Sequence, residues 1–324
     1  MKIFERLVFA AGLAMLGFLL WRFDAPAVWA QVCHVGWGFV VILALQICDH
    51  ALNAVGWRFA FAKSDAALAP FWQLVRIRIA GDGVNYLTPS GTIAGEIIRP
   101  GMLPDSIPAQ IRNSSVVVAK FAQSLAQAFF VLVGVLMLAP WRLGFLSGRQ
   151  IWAAVFGCVA VFVLVGAGMA LLAARRRDGT YLWRLSESMS AMREQMVLYL
   201  REHPGRFCLS TFFFVLGYAS GAVEVLVICL FLGLRLDLAT AFCVEVLSIM
   251  VDAIFFMVPA KAGTQEAGKI AIFAGLGLPA AQGLALGLVR HVRELLWAGA
   301  GFAMYAADRR RRENEALSEE IIHV

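Results

Sequence analysis

The sequence predicts an all-α polytopic membrane protein, with about six spanning helices and two re-entrant helical hairpins arranged as an inverted repeat. Three observations carry that expectation. Hydrophobic residues make up 60% of the 324 and charged residues only 15%, with a mean hydropathy of +0.75; a soluble domain sits near half apolar and about a quarter charged. Several apolar runs of about 20 residues are long enough to cross roughly 30 Å of hydrocarbon. Two stretches, GDGVNYLTPSGTIAGEIIRP and VDAIFFMVPAKAGTQEAGKIA, then repeat one charged pattern at a constant offset. Asp82, Pro89, Glu96 and Arg99 align without a gap with Asp252, Pro259, Glu266 and Lys269. Downstream, Lys120, Gln123, Ser124 and Gln127 fall opposite Arg290, Arg293, Glu294 and Trp297.

The elements follow in order. Lys2 and Arg6 precede an apolar run at 7–21, read as an uncleaved first helix; Ala25-Pro26-Ala27 offers the alternative of a signal-peptide cleavage site. A second helix is predicted over about 33–56, followed by a basic loop at 58–70. The next apolar region, about 71–103, is broken by Asn85, Pro89, Gly91 and Gly95. Neither half can span a bilayer, so the region reads as a re-entrant hairpin. Spanning helices are expected at about 113–139, 151–174 and 207–233. The mixed-charge segment 178–206 reads as an interfacial amphipathic helix on the basic side. Residues 239–278 form a second broken hairpin around Pro259 and Gly263, and a final helix covers about 281–307 before a tail at 308–324. All of this is one membrane domain, with repeat one at about 33–139 and repeat two at about 207–307.

Charge placement orients the chain. Thirteen of the 28 Lys and Arg lie at 58–63, 175–206 and 309–312, and only Arg22, Arg142, Arg149 and Arg235 fall in the opposite loops. The positive-inside bias therefore predicts cytoplasmic N- and C-termini, the first hairpin on the cytoplasmic face and the second on the outer face. The net charge of +6 reflects this topology and contact with anionic membrane lipids, not a nucleic-acid partner. The six cysteines lie in or beside apolar runs without metal-ligand spacing.

Asp82, Glu96, Arg99, Lys120, Glu224, Glu245, Asp252, Glu266, Lys269, Arg290, Arg293 and Glu294 all fall inside predicted membrane segments. An Asp, Lys or Arg at a helix centre costs roughly 2.5–3.5 kcal/mol on insertion scales, so these groups must pair, snorkel or line water. Arg290, Arg293, Glu294 and Trp297 share one helix face by i, i+3, i+4, i+7 spacing, as do Lys120, Gln123, Ser124 and Gln127. Buried ion pairs that lock helices together are one reading of this pattern. A lined cavity is the other, favoured by the prolines and glycines, since irregular backbone at membrane depth is tolerated where protein or water satisfies it. The candidate substrate-pathway residues are Asp82, Asn85, Pro89, Gly95, Glu96, Arg99, Lys120, Asp252, Pro259, Gly263, Glu266, Lys269, Arg290, Arg293 and Glu294.

Recognisable catalysis is not expected. Gly263 to Lys269 (GTQEAGK) nearly matches a phosphate-binding loop but continues with Ile270 where a magnesium-binding hydroxyl belongs, and no strand precedes it. The five histidines show no HExxH spacing, and no nucleophile elbow is present. No metal, cofactor or catalytic residue is predicted.

With these residues in view, RIAGDGVNYLTPSGTIAGEIIRPGML and MVPAKAGTQEAG…GLGL…ALGLVRHVRELLW resemble the flippase-like membrane domain of lysylphosphatidylglycerol synthases. Within that superfamily they look closest to the stand-alone hopanoid-biosynthesis-associated membrane proteins. The resemblance covers most of the chain and is strongest at 78–125 and 257–300. Its first motif falls on Pro89, Gly95-Glu96 and Arg99, its second on Pro259, Gly263 and Glu266, and its closing Arg-x-x-Arg-Glu on Arg290, Arg293 and Glu294. The second motif usually has Pro-Gly-Gly-x-Gly character, whereas here it reads Pro259-Ala260-Lys261-Ala262-Gly263. The synthases' soluble aminoacyl-transferring domain has no counterpart after Arg309–Arg312, so lysine transfer is not implied. The resemblance implies a bacterial inner-membrane protein that translocates a lipid. Two other functions stay open: an integral-membrane enzyme of lipid or glycan assembly, and a scaffold whose partners are lipid-biosynthesis enzymes.

Overall fold

The structure, a computed structural model of the chain, describes residues 17–19, 21–22, 25–88, 94–138, 198–255 and 258–322. Pro89, Gly91, most of the first apolar run, the helix expected at 151–174 and most of the amphipathic segment at 178–206 lie outside the described residues. The described chain is all-helical, with no strand. Its helices are α1 (Ala25–His34), α2 (Gly38–Phe59), α3 (Lys63–Ala66), α4 (Phe71–Leu87), α5 (Ala94–Met102), α6 (Ala109–Leu138), α7 (Pro204–Phe231), α8 (Leu238–Ile254), α9 (Thr264–Gly275) and α10 (Ala280–Ile322).

Three of them, α2, α6 over Ala109–Leu136, and α7, are long and apolar enough to cross a membrane. Large apolar side chains face outward along them, among them Phe129, Leu132 and Leu136 on α6 and Phe212 and Leu230 on α7. Outward apolar faces are what a lipid solvent accepts. Exposed Trp29, Trp37 and Trp72 sit on α1 or at the starts of α2 and α4, where an interfacial aromatic belt would place them.

Both proline-centred regions break. α4 ends at Leu87 and α5 starts at Ala94; α8 ends at Ile254, and a 3-10 turn at Pro259–Lys261 leads into α9. The halves of each pair fold back on each other. In the first pair Asn85 Oδ1 accepts the Gly95 backbone N–H at 2.6 Å. A Cβ on Gly95 would lie 2.1 Å from the Gly81 carbonyl oxygen, so this approach requires glycine. In the second pair Val251 of α8 packs on Gly268 of α9.

α10 is the spine that both hairpins share. Gly283 lies against the Lys269 carbonyl of α9, where a Cβ would be 2.6 Å away, and Gly301 against the Ile79 carbonyl of α4, at 2.2 Å. Small residues let helix backbones approach closely in membrane proteins. Between these two contacts α10 presents Arg290, Arg293, Glu294 and Trp297.

Two boundaries differ from expectation. The helix predicted at 33–56 begins at Gly38, because Gly36 takes a left-handed φ of 49° and separates α1 from α2. The final helix runs to Ile322, through the residues read as a tail. Arg309–Glu313 and Arg311–Glu315 support its last turns at i, i+4 spacing. Arg312 also reaches Asp105 at 3.2 Å and the Leu103 carbonyl at 3.1 Å, while Asp308 meets Arg76 at 3.1 Å. The loop after α2 is tied down by Arg206, which donates to the Phe61 and Arg58 carbonyls, and by the Tyr199 hydroxyl, which donates to Phe59.

Candidate functional site

The charged residues gather in two networks, one on the first broken helix and one on α10. In the first, Asp82 of α4 accepts from Arg78 Nε at 3.1 Å and from Arg99 Nη2 of α5 at 2.6 Å. Arg99 Nη1 reaches Glu96 at 2.5 Å, and Lys120 of α6 reaches the other Glu96 oxygen at 3.2 Å. Arg78 extends the network to α2 through Asn53 (3.4 Å), whose amide donates to Asp49 Oδ1 at 3.0 Å. Gln46 and Ser220 also donate to Asp49. Arg78, Arg99 and Lys120 thus face Asp49, Asp82 and Glu96 in formal balance. That balance makes burial affordable, since an unpaired buried charge is strongly destabilising.

The second network is built on α10. Arg290 donates to Glu245 of α8 at 2.7 Å and to the Gly221 carbonyl of α7 at 3.0 Å, and it pairs with Glu224 at 3.1 Å. Arg293 joins Glu224 to Glu294, which it meets at 3.1 Å. His291 Nδ1 lies 2.7 Å from Oε1 of Glu266, a carboxylate with 0% exposure at the third residue of α9. At the break itself, Lys261 grips Asp252 at 2.5 Å.

The two networks meet at one cavity of about 180 Å³. Its wall is Gln46, Asp49 and His50 from α2, Ile79, Asp82, Gly83 and Tyr86 from α4, and Arg293, Glu294, Trp297 and Ala298 from α10. Several wall atoms are buried without a hydrogen bond among the described residues: both ring nitrogens of His50, Trp297 Nε1 and Glu294 Oε2. His50 Nδ1 stands 3.6 Å from Asp82, beyond hydrogen-bond range, and its ring meets Trp297 edge-on at 5.2 Å. Buried polar atoms are normally satisfied, so four unpartnered atoms on three residues of one cavity wall leave room for water or a polar ligand to serve them. At about 30 Å³ per water the volume takes roughly six waters, or a headgroup, but not a whole lipid.

Of the sequence candidates, Asp82, Asn85, Gly95, Glu96, Arg99 and Lys120 come together in the first network. Asp252, Glu266, Arg290, Arg293 and Glu294 come together around the second. Gly263 caps α9 with a φ of 74°, Pro259 opens the 3-10 turn, and Lys269 is buried beside the break. Only Asp82, Arg293 and Glu294 among them touch the cavity. Sequence reasoning missed Gln46, Asp49, His50 and Tyr86. The first three lie on a helix without a break, yet Gln46, Asp49, His50 and Asn53 show i, i+3, i+4, i+7 spacing in an apolar run. That polar stripe was the available signal.

The family model described as the lysylphosphatidylglycerol synthase TM region matches residues 5–300. The chain belongs to this family. The matched region contains both broken helices and ends just past Ala298, so the whole cavity wall is family sequence, while the last turns of α10 lie beyond it. Membership makes the chain an integral membrane protein related to lipid metabolism or transport. Comparisons with curated proteins and with solved structures return no match.

Proposed function

We propose that this protein moves a polar-headed lipid, hopanoid-related or a phospholipid, across the bacterial inner membrane. The observation that carries this reading is the cavity: two ion-pair networks, one on the first broken helix and one on α10, meet at one space walled by charged and polar residues, several of which keep a polar atom without a partner among the described residues. The headgroup enters that space while its tails stay in the bilayer. The two broken segments share one residue pattern at a constant offset, and opposed repeats rocking about a central site are a common transporter design. In that arrangement the hairpins form an inverted repeat with cytoplasmic termini, and the cavity opens alternately to each side. Family membership supports a lipid as the cargo.

The test is transbilayer movement of a head-labelled phospholipid in proteoliposomes, read by quenching from outside. Wild-type protein accelerates the movement. Trp297→Phe and Glu294→Gln reduce it toward the protein-free rate, the first with the melting temperature unchanged and the second with a lowered melting temperature but a folded protein at the assay temperature. Trp297 Nε1 and Glu294 Oε2 make no hydrogen bond among the described residues, whereas Glu294 Oε1 meets Arg293 at 3.1 Å, so Glu294→Gln keeps the shape of the site but weakens that ion pair. Movement at the wild-type rate in both variants rules the cavity out as the headgroup path. A scaffold or a lipid-modifying enzyme predicts no protein-dependent movement at all; the enzyme predicts a changed lipid product instead.

A further inference from the structure

Taken with the second break, the α10 network is one positive charge short. Glu224, Glu245, Asp252, Glu266 and Glu294 face Arg290, Arg293, Lys261 and Lys269. Even with every Arg and Lys charged, one negative charge is left over. The first network has no such remainder, since Arg78, Arg99 and Lys120 match Asp49, Asp82 and Glu96 one for one. A charge left over among packed helices needs a counter-charge or a proton.

One carboxylate in the second network is placed to take that proton. Among the described residues, Glu266 is the acid whose only ion-pair partner is a histidine: His291 Nδ1 lies 2.7 Å from its Oε1. Its other oxygen, Oε2, is buried without a hydrogen bond among the described residues. No water reaches the side chain, which is 0% exposed. The reason is the close approach of α9 to α10, where a Cβ on Gly287 would lie 3.1 Å from the Glu266 Cα. Imidazole is the side chain that ordinarily gains and loses a proton near neutral pH. One proton on this pair, carried by either partner, makes the network neutral. Without it the network carries one negative charge, and with a second it carries one positive charge.

The surroundings supply a route and no competing partner. Glu294, on the next turn of α10, and Lys269 of α9 are the other charged neighbours of His291. Glu294 is paired with Arg293, and Lys261 and Asp252 at the break are paired with each other. Tyr86 of α4 brings its ring to His291 edge-on at 6.4 Å. Tyr86 and Glu294 both wall the cavity, and the His291 side chain keeps 13% exposure, so the path from the cavity to the pair is short.

We infer that the His291–Glu266 pair is a proton-binding site, and that its proton is the ion this protein exchanges as it works. The pair ties α9 to α10. Loss of its proton leaves an uncompensated buried charge at that contact and favours its opening. The site stands on the charge count and the geometry, while its part in the cycle rests on the transport reading.

The experiment uses purified full-length protein with isotope-labelled histidine, at about pH 7, near the ordinary imidazole midpoint. Nitrogen NMR reads the charge of His291, assigned as the signal lost in His291→Gln, and infrared spectroscopy reads protonated carboxyl groups. Wild-type protein shows one of two signatures, an imidazolium at His291 or a protonated carboxyl at Glu266. Glu266→Gln makes His291 neutral. His291→Gln leaves the proton on Glu266, as a carboxyl band that His291→Gln/Glu266→Gln lacks. Both single variants keep the network neutral, so both fold, and either alone decides the matter. Neither signature in the wild type, an imidazolium persisting in Glu266→Gln, or an ionised Glu266 in His291→Gln overturns the site. In proteoliposomes, an imposed difference of about one pH unit biases the steady-state distribution of the labelled lipid by up to about tenfold, the ratio one coupled proton allows. The double variant shows no bias. A wild-type distribution that ignores the gradient overturns the proton's part in the cycle. Absence of any lipid movement, with the spectroscopic signatures in place, sinks the transport reading and leaves the proton site standing.

Discussion

Asp82 and Arg99 form the shortest contact Asp82 makes, yet removing the two partners will not cost the same. Asp82→Asn leaves Arg99 with Glu96 but takes from Arg78 its one carboxylate partner, leaving it with Asn53. Arg78 is 5% exposed, so its charge has little water to fall back on. Breaking a buried pair in this way costs about 3–5 kcal/mol. The lower end, about 3 kcal/mol, applies here because the Asp82 side chain is 36% exposed. Arg99→Met leaves both acids paired, Asp82 with Arg78 and Glu96 with Lys120, and its loss is about 1–2 kcal/mol. The double variant Arg78→Met/Asp82→Asn strands no charge and recovers at least ~1 kcal/mol relative to the additive sum. Tryptophan fluorescence during reversible SDS titration in mixed micelles ranks the three. An Asp82→Asn loss no larger than that of Arg99→Met, or a strictly additive double variant, would refute the account of charge balance in the first network.

Gly95→Ala forces a methyl to within 2.1 Å of the Gly81 carbonyl, so the first hairpin must open. A loss of about 3 kcal/mol or more is expected in the same titration, at or above the upper end for overpacking. Gly301→Ala meets the Ile79 carbonyl at 2.2 Å and should be similarly destabilising, whereas Gly299→Ala, which meets nothing within 4 Å, should be neutral. Arg312→Ala frees the end of α10 from Asp105 and Leu103. Because these contacts are partly exposed, global stability falls by less than about 1 kcal/mol, while limited proteolysis after residue 308 speeds up. With the native cysteines replaced by serine, a cysteine at Ser318 should react with an impermeant maleimide in inside-out vesicles and not in intact spheroplasts; labelling of spheroplasts would overturn the expected cytoplasmic C-terminus.

The ion pairs also bear on how such a site can work at rest. Both networks hold charges with internal partners at 2.5–3.2 Å, so under the proposed function a headgroup would displace partners already in place. Substitution of one partner for another costs far less than exposing a charge to hydrocarbon. It keeps the site stable when empty and lets it release what it binds.

The sequence by itself determined that the chain lies in a membrane, that it is all-helical, where its two apolar regions break, and which charged side chains needed company. Those conclusions follow from local physics: apolar length against bilayer thickness, proline and glycine against helix continuity, and the cost of charge in oil. It also contained the polar stripe of Gln46, Asp49, His50 and Asn53 on α2, a helix with no break to mark it. Only the tertiary structure decided the pairing. Matching residues in the two broken regions find different partners: Arg99 meets Asp82, whereas Lys269 loses Asp252 to Lys261 and Glu266 turns to His291. Partner choice depends on distances of a few ångströms between helices far apart in sequence, set by glycine contacts such as Gly301 on Ile79. Neither spacing nor composition encodes those distances.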